Sequence, residues 1–426
     1  MKFVIFSVSQ ALDISYEQVA SNDPFLKDFT SLFLKIEKKE NEIIFGPQQN
    51  LPEFRQAVDL FIEKYKSLDK KIYKLRTYFT RINEGEYFIT LPTEYLNINE
   101  VKKEVSYFLT ALNSGDDYLS VSQRMEDLYG ELQQLYNVYP FNERTKKHIG
   151  EPEKSKRVCR FCGLNSNNVT FTKKAHAISE ALGNKNIITN EECDECNARF
   201  GRADGIEASL ISYFQFFNVF FDVKTKNGVP KIKGKNFEIS SDSEASRQIN
   251  IKYSSIIDAG FIKNIDKGTA NIRLDTNYSI VEQDIYRSLC KFALSVISND
   301  CLEHFGDTIK WINRETTLSK LPKVAFLFTY SSFSKHPRIV LYLRKNNDHS
   351  LPHLVGQFNH TFITIVFIVP LSNNDSIDFT EKEDQENFWR VFNRLNQFEG
   401  WQFHDFSNSL RRKLSVNMKF NKSQDT

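Results

Sequence analysis

Cys159-Arg-Phe-Cys162 and Cys193-Asp-Glu-Cys196-Asn197 bracket the stretch Thr172-Lys-Lys-Ala-His176-Ala-Ile-Ser-Glu180-Ala-Leu-Gly183-Asn184. Thiolates two residues apart in a tight turn can share one ion at Zn–S of about 2.3 Å. Two such pairs at this separation therefore predict a single tetrahedral Zn2+ held by Cys159, Cys162, Cys193 and Cys196. A four-sulfur site has no open coordination position, so the zinc is expected to hold the fold, and any chemistry belongs to what the clamp positions. Within it, Val169-Thr-Phe-Thr reads as an extended run leading to His176, and a Gly/Asn turn follows. Asn190 precedes the second pair, and Asn197 is expected to open a helix behind it.

These residues, from about Val158 to Glu207, resemble the HNH endonuclease family. The resemblance implies a ββα-metal module, in which a strand carries the histidine, a hairpin follows and a helix returns a metal-binding residue. It further implies His176 as the general base toward a water attacking a phosphodiester, and Asn197 as a ligand of a catalytic Mg2+ or Mn2+. Asn190 becomes the residue that orients the histidine, and Glu180 takes a supporting place near the metal. Two positions depart from the family pattern: Ala175 stands where many members carry a second metal ligand, and Ser179 where a proline is familiar. Elementary chemistry agrees with the carry-over. Phosphodiester hydrolysis needs a base that titrates near neutrality, which imidazole supplies, and a Lewis acid for the developing charge. Mg2+ keeps several waters, so one protein ligand is workable.

At 426 residues, with 40% hydrophobic and 13% aromatic content including 37 Phe, the chain is expected to fold into two or three domains. A net charge of +2 means that any attraction to nucleic acid must come from local patches. Lys173 and Lys174 flank His176, and Arg199 and Arg202 follow Asn197; these four are expected to meet phosphates. Arg144, Lys146, Lys147, Lys154, Lys156, Arg157 and Arg160 lead into the clamp, and Lys224, Lys226, Lys231, Lys233 and Lys235 surround a hairpin expected at Asn227-Gly228. Cys290 and Cys301 lie apart from the clamp, with no disulfide framework, which fits a reducing cytoplasm. No apolar run approaches the ~20 residues of a membrane span, and the N-terminal Lys2-Phe-Val-Ile-Phe run reads as a strand, not as a signal peptide.

The expected fold class is α+β and multidomain. Residues 1–145 form a mainly helical N-terminal domain, with amphipathic helices at Phe54–Tyr65, Val101–Leu112 (ended by Gly115) and Val121–Leu135. Tyr139-Pro140-Phe141 and the charged stretch after it read as a linker. Residues 146–222 hold the nuclease module, closed by Ile206–Phe221, apolar nearly all round and therefore expected to be buried. Residues 223–426 form an α+β domain for substrate or partner recognition, with strands at Val324–Tyr330, Ile339–Leu343 and Phe362–Val369 and helices centred on Leu289 and on Phe388–Phe398. His304, His336, His349, His353, His360 and His404 lack metal-ligand spacing. The resulting expectation is a metal-dependent HNH endonuclease acting on DNA, with RNA left open. Restriction or phage defence is the expected setting, with a protein partner or a second copy of the chain meeting the flanking domains. The alternative is a catalytically silent zinc module that binds nucleic acid or protein.

Overall fold

The computed structural model describes residues 2–8, 10–16, 23–39, 42–68, 72–93, 98–142, 146–235, 237–242, 248–253, 262–266, 269–329, 333–393 and 400–421. Arg144, Tyr330 and the 394–398 end of the last expected helix lie outside them. The architecture is mixed α and β, and the chain divides into two compact units, Met1–Gly130 and Glu131–Thr426. The expected division at 145 and 222 differs from this partition at both boundaries. Helix Tyr118–Leu135 runs across residue 130, and the core of the second unit is continuous from Cys159 to Phe406.

The first unit is built on an antiparallel sheet in the order Ala11–Ser15, Lys2–Ser7, Tyr87–Pro92, Gln48–Gln49. Period-two alternation sends Phe3, Ile5 and Phe88 to one face, where they pack with Phe29 and Phe33 of helix Pro24–Phe33, Phe61 of helix Pro52–Tyr65 and Phe79 of helix Tyr73–Arg81. Val4, Phe6, Ile89 and Leu91 take the other face and pack with Val105 and Leu109 of helix Ile98–Ser114. Gly115 follows that helix with φ +74°, a left-handed C-terminal stop that glycine adopts without strain. This part of the chain, expected to be mainly helical, thus also carries a sheet buried on both faces.

The second unit centres on a six-stranded antiparallel sheet in the order Gln402–His404, Val324–Phe328, Ile363–Ile368, Leu354–Thr361, Ser334–Arg344, Tyr136–Phe141. Tyr139-Pro140-Phe141, read above as linker, is the edge strand. Pro140 pairs with Val340 there, and an edge tolerates a residue with no N–H because one side of its ladder stays unpaired. Helix Glu282–Val296 lies in the core, with every residue from Gln283 to Val296 buried. Helix Ile206–Phe220 packs against it and belongs to the same core, in accord with its all-round apolar character. The zinc segment therefore rests on the sheet through two helices. No helix among the described residues is long and apolar enough to cross a membrane.

Candidate active site

The four cysteine sulfurs lie within 4.8 Å of one another, with Cys162 and Cys193 Sγ 3.8 Å apart. Four sulfurs each about 2.3 Å from a tetrahedral ion stand about 3.8 Å from one another, so the residues fit Zn2+. Backbone amides are directed at them: Cys193 N–H donates to Cys159 Sγ and Cys196 N–H to Cys193 Sγ, each at 3.4 Å. The hydrogen bond from Cys196, with backbone donors from Cys193, Phe161 and Cys162, holds the Cys159 thiol down at about 5, against the desolvation that raises it. Burial pushes Cys162 up to about 11. Cys159, Cys193 and Cys196 are buried, consistent with a closed structural site.

Behind the first cysteine pair the chain forms a three-stranded sheet in the order Lys147–Ile149, Ile187–Thr189, Ala175–His176. The central strand runs parallel to the first and antiparallel to the His176 strand, and helix Asp194–Gly201 follows. Strand, strand and helix thus succeed one another around the clamp. The connection is set by Asn184, fully buried, whose Nδ2 donates to Ile178 and Ile187 O at 2.6 and 2.9 Å. Its Oδ1 accepts from Asn186 and Ile187 N at 3.1 and 3.0 Å. Gly183 precedes it at φ +92°, and a Cβ there would stand 2.9 Å from Val223 Cγ1, so neither backbone nor space admits a side chain.

His176 is largely buried, at 12% side-chain exposure, with Nε2 3.8 Å from Glu180 Oε2 in the short helical turn Glu180–Leu182. Imidazole and carboxylate at this separation can both approach one water or one divalent ion. The two are four residues apart and the structure brings them together. Asn197 lies in the middle of helix Asp194–Gly201, not at its opening; the helix begins earlier because Cys193 caps it. Asn190 differs from its expected partner: Oδ1 lies 3.3 Å from His148 Nδ1 and Nδ2 donates to Gly150 O at 3.4 Å. The asparagine is thus engaged with the outer strand of the sheet.

Buried charges brace the hairpin. Lys291, from the core helix, has Nζ 2.9 Å from Glu192 Oε2, 3.1 Å from Glu207 Oε1 and 3.4 Å from the carbonyl of His176. Burial raises the Glu192 carboxyl to about 7 against the pull of Lys291. Arg160, named above in the basic run that leads into the clamp, is buried: Nη2 lies 2.8 Å from Glu191 Oε2, and Nη1 donates to Leu294 and Ile297 O at 3.0 and 2.6 Å. Asp194 accepts from Thr170 Oγ1 at 2.7 Å and Lys173 N at 2.8 Å. Such bonds, with those from Thr172, hold it near 2 despite desolvation.

The four expected phosphate contacts divide. Lys173, Lys174 and Arg202 are exposed, with Lys174 Nζ donating to Lys185 O at 3.1 Å and Arg202 Nε 3.3 Å from Asp204. Arg199 instead turns to the clamp, Nη2 lying 3.4 Å from Cys196 Sγ and 2.7 Å from Asn313 Oδ1. Sequence reasoning passed over His148, Lys291 and the Arg160–Glu191 pair. Asn184 sat in the quoted stretch, where a Gly-Asn turn was its signal; a lysine 95 residues beyond Cys196 offers none.

Strand Ala175–His176, strand Ile187–Thr189 and helix Asp194–Gly201 follow the first cysteine pair in that order, the helix carrying the last cysteine. Residues 159–208 match the HNH endonuclease family. The HNH segment covers both cysteine pairs, His176, Glu180, Asn190 and Asn197, and stops at the start of the apolar helix. No curated protein and no solved structure matches the chain. His148 and Lys291, which touch the HNH segment, both lie outside its bounds.

Proposed function

We propose that the chain is a metal-dependent HNH endonuclease that hydrolyses phosphodiester bonds of nucleic acid, with DNA as the principal substrate. The observation that carries this reading is the convergence of His176 and Glu180 on a hairpin fixed by the clamp, within a segment matched to a nuclease family. His176 Nε2 accepts a proton from water as the water oxygen bonds to phosphorus. The phosphorus–3′ oxygen bond breaks, and the leaving oxygen takes its proton from solvent. The Glu180 carboxylate stabilises the imidazolium that forms. Asn197 would hold Mg2+ or Mn2+ through its carboxamide oxygen, and the ion supplies positive charge to the phosphate and leaving oxygen. Lys173, Lys174 and Arg202 supply the phosphate contacts that position the strand. We place the protein among restriction or phage-defence effectors because its nuclease segment is embedded in a larger core, which suits a controlled cutter better than a free-standing one.

The test is incubation of the purified chain with plasmid, single-stranded DNA and RNA, in Mg2+ or Mn2+ and in EDTA. Cleavage that needs the ion and disappears in His176→Ala, with zinc content unchanged, is the expected result. No cleavage of any substrate by the wild-type chain, or full cleavage by His176→Ala, rejects the reading and leaves the binding module in its place.

A further inference from the structure

The sheet row that carries His176 holds a second imidazole. Ile188 is paired with His148 on one side and with His176 on the other. Paired residues of neighbouring strands stand on the same face, so His148, Ile188 and His176 form one row, and Asn190, two residues past Ile188, shares that face. Neighbouring strands lie about 4.8 Å apart, which separates the backbones of the two histidines by about 10 Å. Two ligands of one ion stand within about 4 Å of each other, so the imidazoles do not share an ion unless both lean over Ile188. The row therefore offers two separate tasks.

The anchoring of His148 says which task is its own. Asn190 Nδ2 donates to Gly150 O at 3.4 Å, which fixes the amide and presents Oδ1 to His148 Nδ1 at 3.3 Å. Nδ1 then carries the proton, and Nε2 keeps its lone pair. The strand end is held just as firmly. Asn190 N donates to Ile149 O at 2.8 Å and Glu151 N to Glu191 Oε1 at 3.1 Å, while Gly150, at φ +87°, leaves room for Glu191 where a Cβ would stand 2.3 Å from its Oε2. An exposed histidine on a strand pinned in this way, with one ring nitrogen tied to an amide oxygen, is arranged as metal-ligating histidines are. Ala175, by contrast, is 2% exposed and carries no donor.

We propose that His148 is a protein ligand, through Nε2, of the divalent ion used at this site, with His176 acting as base. This rests on the nuclease reading for the ion's role. An imidazole nitrogen suits first-row transition ions better than Mg2+, which prefers oxygen, and among them the paramagnetic Mn2+ serves as the probe.

The experiment is Mn2+ titration of the zinc-loaded full chain without nucleic acid, followed by electron paramagnetic resonance, with pulsed detection of directly bound nitrogen. Wild type and His176→Gln should both show bound nitrogen. His148→Gln should lose it and bind Mn2+ at least about tenfold more weakly. His148→Asp, which replaces nitrogen by a carboxylate, should lose the nitrogen signal yet bind Mg2+ more tightly than wild type. Zinc content and thermal melts establish that each variant is folded. Absence of bound nitrogen in wild type, its persistence in His148→Gln, its loss in His176→Gln, or unchanged Mn2+ affinity in His148→Gln would each overturn the proposal. Cleavage is scored separately: Mn2+ held through His148 by a chain that cuts nothing rejects the nuclease reading and keeps the site.

Discussion

Lys291 Nζ lies 2.9 Å from Glu192 Oε2, a buried ion pair between the core helix and the residue just before the second cysteine pair. Removing the ammonium leaves the Glu192 and Glu207 carboxylates buried without a cation. Lys291→Met is expected to cost about 3–5 kcal/mol of stability, since breaking a buried pair on one side is worse than replacing both partners. Urea unfolding measures it. Adding Glu192→Gln to Lys291→Met should recover part of the loss, and a single variant within about 1 kcal/mol of wild type would show that the pair contributes little.

The clamp predicts one zinc per chain that survives mild chelation, because the metal's binding free energy, on the order of 10 kcal/mol for small sites, is also folding free energy. Cys193→Ser should yield an unstable or insoluble protein. Freshly purified wild type that contains no zinc by elemental analysis would falsify the clamp.

Replacing Lys173, Lys174 and Arg202 with alanine should weaken nucleic-acid binding alike for all sequences and flatten its salt dependence by roughly one counterion per contact. Arg199→Ala should behave differently. Its guanidinium sits against Cys196 Sγ, so the expected effect is easier zinc loss at an unchanged salt slope. A slope altered by Arg199→Ala, or untouched by the triple variant, would move the nucleic-acid path elsewhere, most simply to the exposed lysines near Asn227.

His360 is fully buried, with Nε2 2.7 Å from Asn218 Oδ1, and burial lowers its pKa to about 3. Its value in the unfolded chain is about 6.5, so between these pH values the folded state binds fewer protons than the unfolded one. The stability it contributes is complete above about pH 6.5 and declines as the pH falls toward 3. Melting temperatures at pH 7 and pH 5 should therefore converge in His360→Gln relative to wild type. An equal drop in both proteins would show that His360 is not held neutral.

What could be read from the chain follows from where the physical signal lies. The cysteine pairs announce the clamp because metal geometry demands short spacing, and Ile206–Phe220 announces its place in the core because apolar residues well outnumber polar ones along it. Strand Leu354–Thr361 escaped notice because it buries Asn359, His360 and Thr361, polar residues that alternation assigns to solvent. Two of them have partners distant in sequence or on the neighbouring strand, Asn218 for His360 Nε2 and Thr364 for Asn359. The same holds at the site. Glu180 is legible four residues from His176, whereas the partner of Asn190 depends on a strand pairing across some forty residues, which no local pattern encodes.

Because the carbonyl of His176 rests on an ammonium supplied by residue 291, residues 159–208 grafted into an unrelated protein would arrive without the cation beneath their histidine. A working transplant would have to bring the 282–296 helix, and with it the sheet that encloses that helix. A gene truncated after residue 222 would likewise expose the apolar side of Ile206–Phe220 and release Glu192 and Glu207 from their shared counterion. The compact unit that keeps these contacts together, Glu131–Thr426, is therefore several times longer than the 159–208 segment that matches the HNH family.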